Sequence, residues 1–179
     1  MSVEDVVGGE ELVPKRSAVD ARGQQRLTLI EGVVFRATRP VPHGGGHLTE
    51  VARASWDVLG GPLVEVHVTT TLPGRARVWG LHERGTDRLF VASGLVKIVV
   101  FDGRKASPTQ GRINEFVLSE RNPGLVIVPP HLYHGWVNIG TTEAIIINMP
   151  DQMYDHEAPD ARDLPWDSEA ARRIIPYRW

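Results

Sequence analysis

Short runs in which apolar and polar residues alternate recur along the chain from residue 28 onward. The clearest run, Leu63 to Thr71, alternates valine with polar side chains. This two-residue period is typical of a β-strand with one face toward a core. Turn-forming pairs such as Pro73-Gly74 and Asp102-Gly103 separate the runs. About ten short strands divided in this way predict an all-β domain of the jelly-roll or barrel kind.

The two ends of the chain lack the alternating pattern of the middle. Residues 1–27 are polar and charged with little periodicity, and we predict that they form an N-terminal arm. Residues 28–179 are predicted to form a single domain. Within its Pro-, Asp- and Trp-rich end, Ser168 and Glu169 fit the N-cap and first turn of a short helix. We expect this C-terminal segment to cover the outside of the barrel.

Composition narrows the class of function. The hydrophobic share of 41% and the charged share of 23% are ordinary for a globular protein. The net charge of −2 is spread without a basic block, which argues against nucleic-acid binding. No apolar run reaches the roughly 20 residues of a membrane-spanning helix, and the first residues lack a signal-peptide pattern. With no cysteine there is no disulfide, and we expect a cytoplasmic protein with a small-molecule partner.

Two of the seven histidines stand where apolar strands end. His82 closes the run that begins at Val78, and His134 closes the segment that begins at Gly124. Strands that each end in a histidine can direct both imidazoles into the same barrel mouth. We therefore predict that His82 and His134 converge inside one cavity that is open to a substrate.

The spacing around these histidines resembles that of cupin proteins. The cupin metal pattern has two histidines and an acid on one strand, and a histidine followed by an asparagine on another. Here the first strand offers His82, Arg84 and Asp87, and the second offers His134 and Asn138. Arg84 stands where a second histidine ligand is expected, and a guanidinium cannot ligate a metal ion. The prediction is a site without metal, and a three-ligand site of His82, Asp87 and His134 stays open as an alternative.

A metal-free site of this kind can work by acid–base chemistry. A neutral imidazole, with a pKa of about 6.5, can remove a proton next to a carbonyl group at neutral pH. The resulting enolate needs a fixed cation, which Arg88 on the adjoining strand is expected to supply. A proton delivered to the opposite face inverts the carbon, and the candidate donors are Tyr133, Tyr154 and His134.

Four segments resemble the dTDP-4-dehydrorhamnose 3,5-epimerase family. They are L-T-E (Leu48–Glu50), G-L-H (Gly80–His82), S-P-T-Q-G (Ser107–Gly111) and V-P-P-H-L-Y-H-G-W (Val128–Trp136), in the family's order. The resemblance runs from residue 30 to residue 179. It implies a jelly-roll homodimer that exchanges N-terminal strands. It also implies proton abstraction at C3 and C5 of a 4-keto-6-deoxy nucleotide sugar, with no metal or other cofactor.

The resemblance also implies roles for individual residues. His82 corresponds to the catalytic base, and His134 to the histidine of the family's second strand. Arg88 falls where the family has an enolate-stabilising lysine, and Glu50 matches a substrate-binding glutamate. The remaining residues expected to bind the substrate are Arg53, Arg77, Trp79, His131 and Asn138.

Three departures from the family bear on the reaction. The family's tyrosine acid falls near Ile146 or Ile147, which have no hydroxyl group. Arginines of the family are replaced by Trp79 and within the run Gly44–Gly46. The aspartate partner of the base is expected beyond Trp179, outside this chain.

These departures keep other functions open. The lost arginines favour a flatter, more aromatic ligand, so an isomerase or cyclase of a non-nucleotide carbonyl substrate is the first alternative. A metal-dependent cupin enzyme and a non-catalytic binding module are the others. Fold alone does not decide among them.

Overall fold

The computed structural model describes residues 17–22 and 26–179, and its strands form two five-stranded antiparallel sheets. In chain order the strands are β1 (Val34–Ala37), β2 (Val41–His43), β3 (Gly46–Leu48), β4 (His67–Thr71), β5 (Ala76–His82), β6 (Asp87–Ser93), β7 (Leu95–Phe101), β8 (Ile113–Ser119), β9 (Gly124–Val128), β10 (Tyr133–Asn138), β11 (Ala144–Asn148) and β12 (Ala161–Asp163). The first sheet has the order β1-β9-β6-β11-β4 and the second the order β12-β5-β10-β7-β8. The short strands β2 and β3 form a separate hairpin.

Because apolar and polar residues alternate along the strands, one face of each sheet is buried in a shared core. Leu89 and Val91 from β6 pack in one buried cluster with Ile98 and Val100 from β7, across the two sheets. Each of these side chains is at most 1% exposed, and each such burial contributes about 1.5–3 kcal/mol. The predicted all-β jelly-roll architecture is confirmed.

The C-terminal segment covers the outer face of the second sheet. Helix α1 (Glu169–Ile174) begins after Ser168, whose Oγ accepts a hydrogen bond from the backbone N–H of Ala171 at 3.0 Å. Ala171 and Ile175 pack against Trp79 in a second buried cluster. The predicted short helix and its N-cap are therefore present. Within the described part of the chain, no helix is long and apolar enough to cross a membrane.

The predicted N-terminal arm lies mostly outside the described residues, because these exclude residues 1–16 and 23–25. The boundary between residues 27 and 28, and the single-domain organisation of residues 28–179, therefore stay predictions.

Gly135 sets the close approach of β10 to β5. A Cβ at this position would lie 2.4 Å from Cγ1 of Val78 and 2.5 Å from the carbonyl oxygen of Arg77. Any larger residue must push the two strands apart. We expect Gly135→Ala to lower the free energy of unfolding by about 1–3 kcal/mol, the usual cost of overpacking, as measured by urea denaturation. Gly44→Ala is the matched control, since nothing lies within 4 Å of its added Cβ; equal stabilities of the two variants would contradict this account.

Candidate active site

A cavity of about 880 Å³ opens beside the ends of β5, β6 and β10. Its wall includes His82 at the end of β5, Asp87 at the start of β6, His134 on β10 and Asn148 at the end of β11. Residues between positions 150 and 167 complete the wall. The volume lies in the range of pockets that bind small molecules and cofactors.

The turn between β5 and β6 brings two of these residues together. β5 belongs to the second sheet and β6 to the first, so the chain crosses between the sheets at this point. His82 is the last residue before the crossing and Asp87 the first after it. In β10, His134 pairs with Gly80 of β5, and this glycine has no side chain to occupy the space beside the ring.

His82, Asp87 and His134 meet inside the cavity. Oδ2 of Asp87 lies 3.0 Å from Nε2 of His134 and 3.3 Å from Nε2 of His82. The two imidazole centroids are 5.6 Å apart. Asp87 and His134 are 6% and 5% exposed, whereas the side chain of His82 is 23% exposed. The two imidazoles therefore share one carboxylate oxygen, and His82 is the more accessible of the two.

Neighbouring groups form hydrogen bonds with Nδ1 of His134 and Oδ1 of Asp87, the atoms that point away from the contact between the two side chains. Nδ1 of His134 lies 3.0 Å from the carbonyl oxygen of Leu132, which can only accept a hydrogen bond. Nδ2 of Asn148 donates to Oδ1 of Asp87 at 2.8 Å. Oδ1 of Asn148 in turn accepts the backbone N–H of Arg88 at 3.0 Å. These bonds fix the orientation of His134 and Asp87.

Asp160 supplies a second carboxylate to His82. Its Oδ2 lies 3.5 Å from Nδ1 of His82. The backbone N–H groups of Arg84 and Gly85 donate to the same oxygen at 3.2 and 3.0 Å, and Nε of Arg84 donates to Oδ1 at 3.1 Å. The expectation that the carboxylate partner of His82 lies beyond the chain is therefore wrong. Asp160 comes from the C-terminal segment, just before β12, which pairs with β5.

Charges and hydrogen bonds within this cluster shift the pKa values of His82, Asp87 and Asp160. Burial alone would lower the pKa of His82, but hydrogen bonds and charges from Asp87 and Asp160 outweigh burial and raise it. Burial would raise the pKa of Asp87, but the two imidazoles hold it well below its ordinary value. The pKa of Asp160 is also lowered, because the backbone N–H groups of Gly85 and Arg84 and the Arg84 guanidinium outweigh its burial. Asp87 and Asp160 are thus anionic at neutral pH.

Two residues predicted to be catalytic point to the other faces of the sheets. Arg88 is 0% exposed, and its guanidinium donates to the carbonyl oxygens of Leu59, Pro62 and Met149 at 2.9, 2.9 and 3.0 Å. It lies outside the cavity wall, which corrects the expectation that it stabilises an enolate there. Tyr133 packs on the outer cluster of the second sheet and also lies outside the wall.

Most of the residues predicted to bind the substrate also lie elsewhere. Trp79 is 2% exposed and packs against Trp179 at a ring separation of 4.8 Å. Asn138 is fully buried and donates to the carbonyl oxygens of Thr71 and Thr142, both at 2.8 Å. These two side chains support the sheet. The other predicted residues outside the cavity wall are His131, Glu50 and Arg53, the last two joined in an exposed ion pair of 2.8 Å.

Arg77 and Tyr154 do line the cavity, as predicted from the sequence. The guanidinium of Arg77 lies 5.9 Å from the ring centroid of Trp136. Tyr154 is 50% exposed. The wall also contains residues that the sequence did not single out for the site, notably Asp160, Asn148, His67, His156 and Trp166. Of these, His67 has a side chain that is 47% exposed.

The chain is similar in sequence to known proteins. The sequence profile of the family described as dTDP-4-dehydrorhamnose 3,5-epimerase matches residues 30–172. A Haloferax volcanii protein named "Probable low-salt glycan biosynthesis epimerase Agl13" is 35% identical over 123 residues, which cover 68% of this chain and 79% of that protein.

Solved structures show the same architecture. A dTDP sugar isomerase from Desulfovibrio desulfuricans G20 has a TM-score of 0.76 and 27% identity, over 84% of this chain and 92% of that chain. A dTDP-4-dehydrorhamnose 3,5-epimerase from Bacillus anthracis, solved with TDP and PPi bound, has a TM-score of 0.71 and 20% identity, over 86% and 90% of the two chains. Because the profile covers most of the chain, this protein belongs to the dTDP-4-dehydrorhamnose 3,5-epimerase family and is an isomerase of that family.

Proposed function

We propose that the protein epimerises a 4-keto-6-deoxy nucleotide sugar, with His82 as the base. The observation that carries this proposal is the position of His82, which faces the cavity between two carboxylates, Asp87 and Asp160. In the reaction His82 removes the proton from a carbon next to the C4 carbonyl group. Asp160 orients the ring and stabilises the imidazolium that forms, as the carboxylate does in other histidine–aspartate pairs.

His134 is assigned as a positioning residue of the site. Its ring lies beside that of His82, and its two nitrogens face the carbonyl oxygen of Leu132 and the carboxylate of Asp87. No N–H of His134 is therefore left to donate to the substrate, and its part is to hold Asp87 beside the base.

The direct test is solvent exchange. The protein, treated with a chelator, is incubated with a dTDP-linked 4-keto-6-deoxy sugar in deuterated water, and the sugar is analysed by NMR. Deuterium at C3, at C5 or at both is expected, and its position identifies the carbon that is epimerised. Absence of deuterium at both carbons would sink the proposal for this substrate.

Tyr154 is assigned as the acid that protonates the opposite face of the carbon. Among the described residues it is the tyrosine that lines the cavity, and its backbone N–H donates to Glu65 at 2.7 Å. We expect Tyr154→Phe to retain deuterium exchange by His82 but to lose about 10²–10⁴-fold in the rate of inversion. Parallel NMR measurements of exchange and product separate these two steps. If Tyr133→Phe loses inversion and Tyr154→Phe retains it, the acid is misassigned.

Asp87 and, to a smaller extent, Asp160 are expected to shift the pH dependence of the reaction. His82 must be neutral to accept a proton, and its raised pKa places the acidic limb of the kcat/KM profile above the ordinary value for histidine. Removing the negative charge in Asp160→Asn lowers that pKa, so the limb moves to lower pH. The pH–rate profiles of both proteins measure the shift. Asp163→Asn, which also alters a carboxylate of the wall, is expected to leave the limb in place.

The charge of the cavity wall favours a second candidate, a carbonyl substrate without a nucleotide. Of the described residues, Arg77 and Arg84 are the arginines of the wall, and Arg84 is already paired with Asp160. Diphosphate groups are usually bound by several such cations. Calorimetry with free dTDP decides between the candidates, because clear binding supports the nucleotide sugar and its absence the alternative. Besides Asp87 and Asp160, the acidic residues of the described wall are Glu65, Asp155, Asp163 and Asp167.

We also propose that the protein is a homodimer joined along β4. This strand is at the edge of the first sheet, and Val68 within it and Val66 just before it are 60% and 63% exposed. An exposed edge strand readily pairs with a second chain. Light scattering coupled to size exclusion tests the proposal, and a monomer at micromolar concentration would contradict it. A cytoplasmic location stays a prediction from the sequence.

A further inference from the structure

We propose that Glu65 is a positioning residue that decides whether the reaction inverts the carbon or returns the proton to the face it left. Glu65 acts through Tyr154, whose backbone it holds at the cavity wall. The stereochemical role rests on the proposed function, because it needs His82 as the base and Tyr154 as the acid. The contact between Glu65 and Tyr154 stands on the structure alone.

The segment that carries Tyr154 is fixed at both of its ends. Oδ1 of Asp151 accepts the backbone N–H of Thr86 at 2.8 Å, and the N–H of Asp151 donates to the carbonyl oxygen of Thr86 at 3.3 Å. At the other end, Asp160 accepts two backbone N–H groups of the turn between β5 and β6. Residues 152–158 between these ends belong to no helix or strand. The position of Tyr154 therefore depends on the contacts of this span.

Glu65 makes the shortest hydrogen bond between this span and the rest of the chain. The backbone N–H of Tyr154 donates to Oε2 of Glu65 at 2.7 Å. Among the described residues, the other such bond runs from Nε2 of Gln152 to the carbonyl oxygen of Arg84 and is 3.4 Å long. A hydrogen bond to a carboxylate is also stronger than one between neutral groups. The carboxylate of Glu65 is thus the main tether of residues 152–158.

The side chain of Tyr154 has little packing of its own. It is 50% exposed, and its ring contacts that of His156, with the centroids 4.9 Å apart. His156 lies in the same span, so this contact does not join Tyr154 to either sheet. The reach of the Tyr154 hydroxyl group into the cavity therefore follows the position of its backbone.

Glu65 is itself held beside the edge strand of the first sheet. It lies two residues before β4, and its Oε1 is 3.4 Å from Nδ1 of His67 in that strand. The side chain of Glu65 is 27% exposed. The backbone N–H of Tyr154 and the imidazole of His67 outweigh burial and lower the pKa of Glu65. Glu65 is therefore anionic at neutral pH and connects β4 to the span that carries Tyr154.

The enolate that forms after His82 removes the proton has two possible fates. The imidazolium of His82 can return a proton to the same face, which restores the substrate and leaves deuterium on it in deuterated water. Alternatively, the phenol of Tyr154 gives its proton to the opposite face and inverts the carbon. The tyrosinate then takes a proton from water, and His82 releases its proton to water. Only the second path depends on the placement of Tyr154, and such placement has a large effect on rate.

Glu65→Ala tests the role through the ratio of the two paths. The full chain is incubated with a dTDP-linked 4-keto-6-deoxy sugar in deuterated water, and NMR measures inverted product and deuterium in the recovered substrate. The ratio of inverted product to deuterated substrate is expected to fall about 10–10²-fold. Glu65→Gln should restore it, because the amide oxygen accepts the same N–H. Glu143→Ala, which changes an exposed glutamate outside the cavity wall, is the control and should leave the ratio unchanged.

Amide hydrogen exchange at Tyr154, followed by NMR, tests the contact without substrate. In Glu65→Ala this exchange is expected to be about tenfold faster or more, and in Glu65→Gln close to that of the unmodified protein. A faster amide exchange together with a lower ratio supports both parts of the proposal.

The other outcomes separate the contact from the proposed function. An unchanged amide exchange in Glu65→Ala overturns the contact. A faster amide exchange with an unchanged ratio, as when both paths slow equally, overturns the stereochemical role. If the unmodified protein gives neither deuterated substrate nor product, the proposed function fails and the stereochemical role fails with it, while amide exchange still decides the contact.

Discussion

His82→Asn is expected to lose about 10²–10⁴-fold in kcat, together with the deuterium exchange that reports proton abstraction. Asparagine occupies a similar volume and can still donate a hydrogen bond to Asp87, but it cannot accept a proton from carbon. The loss should therefore appear in kcat at all pH values, with little change in the affinity for dTDP. Stopped assays for product and NMR for exchange measure the two quantities.

His47→Asn is the matched control for this experiment. His47 is an exposed residue of the β2–β3 hairpin and lies outside the cavity wall. Its variant should retain the activity of the unmodified protein. If His82→Asn keeps a tenth or more of the exchange rate, another group is the base and the assignment of His82 is incorrect.

Asp87→Asn is expected to lower the free energy of unfolding by about 3–5 kcal/mol, the cost of breaking a buried ion pair by removing one partner. Asp87 is 6% exposed and contacts both imidazoles and Asn148. The neutral amide removes the charge that compensates a protonated ring. The variant should also lose activity, because His82 and His134 lose the group that holds their positions.

The pH dependence of this loss has a definite sign. The lowered pKa of Asp87 contributes stability that is present above its unfolded value of about 3.9 and is lost as pH falls through the folded value. The raised pKa of His82 contributes stability that is present below its unfolded value of about 6.5 and is lost as pH rises through the folded value. Asp87→Asn should therefore destabilise most between about pH 4 and 6.5, and less at pH 8.5.

Urea denaturation at pH 5.5 and 8.5 measures the effect. Asp163→Asn serves as the control, because Asp163 is an exposed carboxylate of the cavity wall. Its variant should unfold like the unmodified protein at both pH values. A loss for Asp87→Asn that is the same at both pH values, or larger at pH 8.5, would show that the charge of His82 plays no part.

The alternation along the strands could have excluded two of the residues that were predicted to belong to the site. The sequence predicted that His82 and His134 converge, and His82 does end β5, but His134 lies at the start of β10 and not at the end of β9. The two-residue period also requires that neighbours in a strand point to opposite faces. Tyr133 therefore cannot share a cavity with His134, and Arg88 cannot share one with Asp87. The structure places His134 and Asp87 in the cavity wall, and Tyr133 and Arg88 outside it.

The partners of the two histidines could not be predicted in this way. Asn148 reaches Asp87 because β11 pairs with β6, and Asp160 reaches His82 because β12 pairs with β5. Strand order is a property of the whole fold, and no local alternation specifies it. Asp160 also precedes a strand of three residues in a segment without periodicity. The carboxylate of Asp160, which faces Nδ1 of His82, therefore could not be identified before the strand pairing was known.

The oxygen of Asp87 that faces Nε2 of His82 couples the ionisation of these two groups. A proton gained by one of them changes the electric field at the other, so the pKa values read from a rate profile describe the pair and cannot be divided between its members. For the same reason, effects of substitutions within the pair should not sum, and the double variant will cost less than its two parents together.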